Sequence, residues 1–273
     1  MKFAIFIENT NEFNQIFAPV ATRLHLTLKT MGCDSSLQPS SPYFDGRKIV
    51  FGAHSDPQYW ERYVTDRDIL FNYEPVFLRS WRDKNKRYCN LLKKSHVVDY
   101  TIKNSPFLAK HYISAVPPAF SCERWPSKTK DALFIGNLSN HRIGQLKKLS
   151  EVGIKVHVGF KIFNEKLRTE ISKARVFLNI NAPQDTNFNI FRFSLCSGMN
   201  TLFFGDSGEW TQYSELNPLI NHTIIEEKEK LNSALLSILN DKGKYDFLLC
   251  EQNSISKQHL LNFESVVKEI ANF

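Results

Sequence analysis

Short runs of bulky, β-prone residues recur along the chain, and each run is followed at once by polar residues. The first run, Lys2–Ile7, leads into the polar segment Glu8–Asn11, which is the pattern of a buried strand that ends in a loop. Apolar residues then recur at helical spacing from Phe13 to Leu28 and stop before Gly32, a suitable residue for a helix C-terminus. Alternation of strand and helix restricts the fold to parallel sheets whose crossovers are right-handed.

The same alternation continues along the rest of the sequence. We expect further strands at 48–53, 68–73, 95–100, 131–135, 155–159, 175–180 and 200–204, and helices at 77–93, 137–149, 189–197, 226–239 and 254–271. Prolines at Val116–Pro118 and Trp125–Pro126 interrupt the pattern, because proline disfavours helix at itself and at the preceding residue. The sequence therefore predicts two α/β domains, 1–118 and 119–273, and allows the last helix to pack back on the first domain.

The composition is that of a folded protein and excludes several classes. Hydrophobic residues make up 42% of the 273 residues, enough for a core. The longest apolar runs fall far short of the roughly 20 residues that span a bilayer. The first apolar run is also too short for a secretory signal, so we expect a cytoplasmic protein. The 5 cysteines are scattered and form no Cys-x-x-Cys pair, which argues against a disulfide framework or a structural zinc site.

Several catalytic motifs are missing from the sequence. There is no Gly-x-Gly-x-x-Gly, no Gly-x-x-x-x-Gly-Lys-Ser/Thr, no His-Glu-x-x-His and no Gly-x-Ser-x-Gly. Dinucleotide-dependent oxidoreductases, P-loop nucleotidases, zinc peptidases and α/β-hydrolases are therefore disfavoured. Asp66-Arg67-Asp68 has the spacing of a metal-binding Asp-x-Asp, but it precedes its strand. Because substrate phosphates bind beyond the ends of strands, we predict no metal site there.

Positive charge is concentrated in one stretch of the first half. The chain has a formal net charge of +7. Segment 79–94 carries the following basic residues and Asp83 as its single acid: Arg79, Arg82, Lys84, Lys86, Arg87, Lys93 and Lys94. A helix with this face suits a nucleic acid, another phosphorylated partner or an anionic membrane; the alternative is the solvated side of an ordinary helix.

Polar residues follow the expected strands in both halves. They are Glu8, His54, Glu74 and Asp99 in the first half, and Asn137, Asn181 and Asp206 in the second. Because ligands of parallel sheets bind beyond the carboxyl ends of the strands, we expect two polar rims that face each other across a cleft. Such a cleft is a usual place for a small-molecule site.

The order of these landmarks resembles the bacterial and phage glycosyltransferases of the GT-B fold. The resemblance runs over most of 48–215 and rests on Gly52–His54, Asn72–Glu74, Asp99–Thr101, Asn104, Asp131–Phe134, Gly136–Asn137, His141–Arg142, Ala174–Asn181 and Arg192. It implies two Rossmann-like domains with parallel sheets that face across a cleft. It also implies a nucleotide sugar, UDP-linked in our interpretation, held by the C-terminal domain, an acceptor held by the N-terminal domain, and no need for a metal.

The resemblance also implies site residues. Donor binding is expected of Gly136, Asn137, Arg142, Asn181, Asn189, Arg192 and Asp206. The candidates for the catalytic base are Glu74, His54 and Asp99, because an inverting transferase needs one such group near the acceptor hydroxyl. From the charge of segment 79–94, and not from the resemblance, anion contacts to the acceptor are expected of Arg79, Arg82, Lys84, Lys86 and Arg87. Structural roles are the alternatives: surface ion pairs for the arginines, a loop tie for Glu74 and a core position for His54.

The chain departs from the family pattern at two donor positions. Asn189 stands where relatives tend to carry a glutamate, and the following strand ends in Gly205-Asp206. The missing carboxylate usually contacts the donor ribose, so the nucleotide stays open, and so does the stereochemistry of transfer.

The sequence thus predicts a glycosyltransferase, with three interpretations of its role. The preferred acceptor is a glycan or a lipid-linked saccharide, as in polysaccharide biosynthesis. The enzymatic alternative is a DNA-modifying transferase that acts on hydroxymethylated bases of phage DNA, and the other alternative is a non-catalytic nucleotide- or sugar-binding module. The basic helix 79–94 would meet an anionic membrane in the first case and DNA in the second.

Overall fold

The computed structural model describes residues 1–100, 102–108, 110–114, 117, 126–180, 189–206, 225–226 and 231–272. The chain divides into two compact units. The N-terminal unit comprises Met1–Val116 and Leu260–Phe273, and the C-terminal unit comprises Pro117–His259. Each unit is an α/β layer structure around its own parallel sheet.

The N-terminal unit contains six parallel strands in the order β2-β1-β3-β4-β5-β6. The strands are β1 (Lys2–Ile7), β2 (Asp34–Leu37), β3 (Arg47–Phe51), β4 (Ile69–Asn72), β5 (His96–Asp99) and β6 (Lys110–Ile113). The helices are α1 (Ala18–Thr30), α2 (Pro57–Trp60), α3 (Arg79–Lys84) and α4 (Lys86–Lys94), with 3₁₀ turns at Glu12–Phe17 and Ile102–Phe107. Since all strand pairs are parallel, the carboxyl ends of the strands meet at one edge.

The C-terminal unit contains a second parallel sheet, in the order β11-β10-β9-β7-β8. Its strands are β7 (Lys130–Ile135), β8 (Val156–Gly159), β9 (Ala174–Asn179), β10 (Leu202–Asp206) and β11 (Ile225–Glu226). Its helices are α5 (Asn140–Glu151), α6 (Asn164–Ser172), α7 (Ile190–Gly198), α8 (Leu231–Asn240) and α9 (Lys242–Ala271). The last of these begins in the C-terminal unit and ends in the N-terminal unit. The predicted α/β class with two parallel sheets is confirmed.

The central strands are buried on both faces, as expected for parallel sheets covered by helices. Residues 3 to 7 of β1 are all buried, and so are all four residues of β4. Burying one such side chain stabilises the fold by about 1.5–3 kcal/mol relative to leaving it in water. The apolar runs of the sequence therefore form the core, and the polar residues that follow them are left at the sheet edge.

The basic stretch differs from the prediction of a single helix over 79–94. It forms two short helices, α3 and α4, that are separated at Asn85, whose φ and ψ of −119° and 36° are not helical. The side-chain amide of Asn85 donates to the carbonyl of Trp81 over 2.8 Å. Asparagine offers the backbone such local bonds in place of helical ones, which explains the break.

His259 on α9 is a buried titratable group that links pH to stability. It is 2% exposed and packs on the ring of Phe193, with 5.6 Å between ring centroids. Neither of its ring nitrogens has a hydrogen-bond partner in the described chain. Burial lowers the pKa of His259 from 6.5 to about 4.

We expect acid to destabilise the protein through His259. Between pH 6.5 and pH 4 the unfolded chain binds a proton at this residue that the folded protein does not, so the free energy of unfolding falls as the pH falls through this window. The pKa difference corresponds to about 3 kcal/mol. His259→Leu should abolish this part of the pH dependence in urea denaturation series, whereas His157→Leu, on the partly exposed strand β8, should not. An unchanged slope in His259→Leu would contradict the assignment.

Candidate functional site

The carboxyl edge of the N-terminal sheet collects the polar residues expected there. Glu8 follows β1, His54 lies in the loop after β3, Glu74 lies in the loop after β4, and Asp99 ends β5. The four come from neighbouring strands, because the sheet order places β1, β3, β4 and β5 side by side. The edge therefore carries three carboxylates and one imidazole.

His54 and Glu74 form a pair at this edge. His54 Nε2 lies 3.3 Å from Glu74 Oε1, and both side chains are about one quarter exposed, at 23% and 24%. Ser55 Oγ lies 3.4 Å from the same nitrogen. His54 Nδ1 has no hydrogen-bond partner in the described residues. The pair thus presents one free ring nitrogen while the other faces a carboxylate.

The loop that carries His54 is fixed by a close approach. Gly52 has a φ of +75°, and a Cβ at this position would lie 2.7 Å from Asn14 Nδ2. Asn14 is buried and donates to the carbonyl of Glu8 over 2.9 Å and to Ser55 Oγ over 3.0 Å. Glycine is required here because only glycine combines a positive φ with so close a neighbour.

The backbone of Glu74 is bound by the side-chain amides of Asn72 and Asn104. Asn72 Oδ1 accepts from the Glu74 N–H over 3.2 Å, and Asn72 Nδ2 donates to the Glu74 carbonyl over 3.1 Å. Asn104 Nδ2 donates to the same carbonyl over 3.0 Å. Both amides also donate to the carboxylate of Asp99, over 2.7 Å from Asn72 and 2.9 Å from Asn104. Asp99 is fully buried, so it lies beneath the loop and not at its surface.

Tyr88 of α4 joins the hydrogen-bond network of Asn72, Asn104 and Asp99. Its hydroxyl donates to Asn72 Oδ1 over 3.0 Å, and its ring meets that of His54 edge to face, with 6.0 Å between centroids. Burial raises the pKa of Tyr88 well above its usual value, and the neighbouring charges of Glu74 and Asp99 add to the effect. Tyr88 therefore remains a hydrogen-bond donor at any physiological pH.

In the C-terminal unit, Arg142 spans the ends of two strands. Its Nε donates to the carbonyl of Ile180, just after β9, over 2.8 Å, and its Nη1 donates to the carbonyl of Asn137 over 3.0 Å. Asn137 is exposed in the turn after β7. Arg142 lies in the first turn of α5, whose N-cap is Ser139. A guanidinium and a helix N-terminus thus lie together at the carboxyl edge of this sheet.

Arg192 lies at the same edge, in the first turn of α7. Its Nη1 donates to Asn179 Oδ1 over 3.0 Å, and Asn179 is 3% exposed at the end of β9. A Cβ on Gly136 would lie 3.3 Å from Arg192 Nη2. Glycine at this position therefore leaves room for the guanidinium of Arg192. Asn189 is the N-cap of α7 and accepts from the Arg192 N–H over 3.1 Å. Its amide therefore has a capping role.

Of the predicted donor residues, two are described incompletely or not at all by the structure. Asn181 lies outside the described residues, and Asp206 is described only as the backbone end of β10. The preceding Gly205 is needed for packing, since a Cβ there would collide with the carbonyl oxygen of Asn179. The strands β9 and β10 therefore approach this closely only with glycine.

Some cations of the basic stretch 79–94 are exposed to solvent, and others bind groups of the protein itself. Lys84 and Lys86 are exposed; Arg79 is 89% exposed and lies 3.7 Å from Asp83, and Arg87 lies 3.3 Å from Glu61. Arg82 instead turns inwards. Its Nη1 donates to the carbonyls of Val76 and Phe77 over 2.7 and 2.8 Å, and its guanidinium lies 3.9 Å from the ring centroid of Phe107. The geometry of Arg82 supports the loop after Glu74, and a role in anion binding stays a prediction.

Sequence reasoning missed the residues that hold these candidates in place. They are Asn14, Tyr88, Asn104 as a partner of Glu74, and Asn179. Among these residues a signal existed only for Asn179, which is the polar last residue of an apolar strand. The others reach the site from helices and loops, which no spacing in the sequence indicates.

No metal centre is evident in the described ranges, where no three His, Cys, Asp or Glu side chains are grouped for one ion. Asp68 of the Asp-x-Asp is 1% exposed and lies 3.1 Å from Lys48 Nζ, where it also accepts from the backbone N–H groups of Lys48 and Thr65. This carboxylate is therefore structural. Within the described residues, no helix has both the length and the apolar character needed to cross a bilayer.

Comparison with solved structures identifies the fold. An α-glucosyltransferase bound to UDP and a 13-mer DNA with a central A:G mismatch matches with a TM-score of 0.63 and 10% identity, over 99% of both chains. An α-glucosyltransferase bound to UDP and a 13-mer DNA containing an HMU base matches with a TM-score of 0.56 and 9% identity, over 100% of both chains. An α1,3-fucosyltransferase matches with a TM-score of 0.51 and 13% identity, over 99% of this chain and 91% of that one. The chain has the GT-B glycosyltransferase fold. The predicted resemblance to this fold is confirmed.

No protein-family model and no curated protein sequence matches the chain. The likeness to the solved structures is therefore a likeness of fold.

Proposed function

We propose that the protein is a glycosyltransferase that moves a sugar from a nucleotide sugar to an acceptor hydroxyl. The observation that carries the proposal is the His54–Glu74 pair, which presents a free imidazole nitrogen at the carboxyl edge of the N-terminal sheet. Two arginines at the corresponding edge of the C-terminal sheet supply the charge that a leaving nucleoside diphosphate requires. The GT-B fold supports the assignment of acceptor binding to the N-terminal unit and donor binding to the C-terminal unit.

The donor site in this proposal lies at the N-termini of α5 and α7. Arg142 and Arg192 lie in the first turns of these helices, where backbone N–H groups and the helix dipole also favour anions. Together they stabilise the diphosphate as negative charge develops on it. The UDP named with the two α-glucosyltransferase structures supports a uridine diphosphate sugar as the donor.

At the acceptor, His54 acts as the general base. With the proton of Nε2 directed at Glu74 Oε1, the lone pair of Nδ1 takes the proton of the attacking hydroxyl, and Glu74 stabilises the imidazolium that results. The oxygen then bonds to the anomeric carbon of the donor as the bond to the diphosphate breaks. Asp99 is a positioning residue in this scheme, because it binds the two amides that hold the Glu74 loop.

DNA with a hydroxymethylated base is the acceptor that we favour over a glycan or a lipid-linked saccharide. The two α-glucosyltransferases of the same fold are bound to DNA. The exposed residues Arg79, Lys84 and Lys86 of α3 and α4 provide cations on the same unit as His54. Phosphate contacts of this kind supply the sequence-independent part of DNA affinity.

We expect DNA binding to weaken steeply with salt. The logarithm of the binding constant should fall linearly with the logarithm of salt concentration. Lys84→Gln combined with Lys86→Gln should reduce the slope by about two, because each lysine neutralises one phosphate. Fluorescence anisotropy on a duplex between 50 and 200 mM salt measures this. Lys242→Gln, on an exposed lysine of α9, is the matched control. A slope near zero for the unmodified protein would contradict a DNA acceptor and favour an uncharged glycan.

A further inference from the structure

A cavity opens at the carboxyl ends of β1 and β2, within the N-terminal unit. Its volume is about 410 Å³, and its walls include Glu8, Gln38, Pro42, Asp56, Tyr59 and Trp60. This volume lies in the range of small-molecule sites. The loop between β3 and α2 carries both His54 and Asp56, so the cavity adjoins the segment that holds the proposed base. We call it the β1–β2 pocket.

The walls of the β1–β2 pocket are fixed before any ligand arrives. Gln38 has a φ of 50°, and its side-chain amide pairs with Ile7 in both directions, accepting from the N–H over 2.8 Å and donating to the carbonyl over 3.1 Å. Glu8 is 5% exposed and accepts from Trp60 Nε1 over 2.5 Å and from the Thr10 N–H over 2.8 Å. A strained backbone held by a side chain is typical of a functional site.

The chemistry of the walls selects a class of ligand. Two carboxylates, Glu8 and Asp56, line the pocket, and none of its described lining residues is lysine, arginine or histidine. Asp56 Oδ1 accepts from the Tyr59 N–H over 3.0 Å, and its Oδ2 has no partner among the described residues. A phosphate would be repelled here. An uncharged ring with N–H or O–H donors fits, as carboxylates accept from the amino group of a base.

A cluster of tyrosines lies beside the pocket. Tyr59 of the pocket wall is 4.8 Å from Tyr63 between ring centroids, and Tyr63 is 5.2 Å from Tyr43. Tyr43 is 79% exposed and follows the wall residue Pro42. We call these three residues the tyrosine cluster. An exposed ring such as that of Tyr43 is one on which an unpaired nucleic-acid base can stack, and the half-buried rings of Tyr63 and Tyr59 connect it to the pocket wall.

We propose that the β1–β2 pocket binds the acceptor base after it leaves the DNA stack, and that the tyrosine cluster stacks a neighbouring base. This inference rests on the proposed function, with DNA as acceptor. An enzyme cannot reach a hydroxymethyl group inside the duplex without displacing its base. The uncharged, donor-bearing edge of the base matches the carboxylates, while the phosphates remain with the cations of α3 and α4.

The test compares Tyr43→Ala and Asp56→Asn with the unmodified protein. Tyr43 is exposed, and an asparagine at position 56 keeps an oxygen for the Tyr59 N–H, so both variants should fold. Affinity for a single-stranded oligonucleotide with a hydroxymethylated base should fall about 5- to 150-fold in Tyr43→Ala and about tenfold or more in Asp56→Asn. Because the Tyr43 side chain is uncharged and binds no phosphate, the loss in Tyr43→Ala should be the same at 50 and 200 mM salt. Phe247→Ala, on an exposed ring of α9, should bind like the unmodified protein.

The outcomes separate this inference from the proposed function. If the unmodified protein binds DNA and transfers sugar to it while both variants do the same, the pocket assignment is wrong and the function stands. If transfer is to a glycan, and Asp56→Asn weakens binding of that glycan, the pocket holds a sugar and the base assignment is overturned. If the unmodified protein neither binds a nucleotide nor transfers sugar to any acceptor, the proposed function fails as well.

Discussion

Glu74→Gln should lower the rate of sugar transfer by about 10²- to 10⁴-fold, the usual worth of general acid–base catalysis, and leave nucleotide binding unchanged. Glutamine keeps the size of the side chain but cannot hold the His54 imidazolium. The Glu74 backbone is fixed independently by Asn72 and Asn104, so the fold should be retained. Steady-state rates with a radiolabelled donor, together with thermal unfolding with and without UDP, measure both parts.

A double variant tests whether His54 and Glu74 act as one unit. Residues of one catalytic unit are strongly non-additive, so His54→Gln combined with Glu74→Gln should cost little more than His54→Gln alone. Glu165→Gln, on an exposed carboxylate of α6, serves as the control and should keep full activity. Unchanged transfer in Glu74→Gln would remove the pair from the mechanism. If no variant and no unmodified protein transfers sugar, while the protein's effect in the cell is the same with Glu74→Gln as without it, a non-catalytic binding module would be favoured.

Arg192→Ala should weaken binding of the nucleoside diphosphate on the order of 10- to 100-fold, the worth of one hydrogen bond to a charged group. Arg192 lies in the first turn of α7, against Gly136 and Asn179. Its guanidinium and the helix N-terminus act on the same anion. The shift in melting temperature on addition of UDP reports the weaker binding, because a ligand of the folded state stabilises it by RT ln(1 + [L]/Kd), where [L] is the free ligand concentration.

Removal of the Arg192 side chain also takes a donor from the buried Asn179, so folding must be measured separately. The melting temperature without ligand does this, and Arg192→Lys keeps the charge while losing the planar fork that pairs with two phosphate oxygens. We expect Arg192→Lys to recover part of the affinity. Arg168→Ala, at a guanidinium paired with Glu165 on α6, should leave the UDP shift intact. An unaltered shift in Arg192→Ala would place the donor elsewhere.

Much of the fold could be predicted, because strands of a parallel sheet are continuous apolar runs. The runs at 68–73 and 175–180 became β4 and β9 with small changes at their ends. β2 could not be predicted, since Asp34–Leu37 holds one apolar residue and is typical of a turn. It is a strand because its backbone pairs with β1, beginning with Lys2 opposite Asp34. Edge strands of this kind are specified by their partner and not by their own pattern.

The candidate site could be predicted in outline for the same topological reason. Parallel order brings the ends of β3 and β4 together, so His54 and Glu74 meet although they lie 20 positions apart in the sequence. The inward turn of Arg82 could not be predicted, because the sequence shows a positive charge but not the carbonyls of Val76 and Phe77 that bind it. The buried position of Asp99 was equally hidden, since the amides that bind it come from two separate segments.

Whether the protein is a nucleotide-sugar glycosyltransferase is decided by a measurement of sugar transfer itself. The purified chain would be incubated with UDP-, GDP-, CMP-, ADP- and TDP-linked sugars and with matched oligonucleotides, with and without a hydroxymethylated base, and each product would be weighed by mass spectrometry. We expect addition of one sugar residue to the hydroxymethylated strand from one nucleotide family, with release of that nucleoside diphosphate. No addition to any strand or to a glycan panel, with no nucleotide raising the melting temperature, would contradict this expectation.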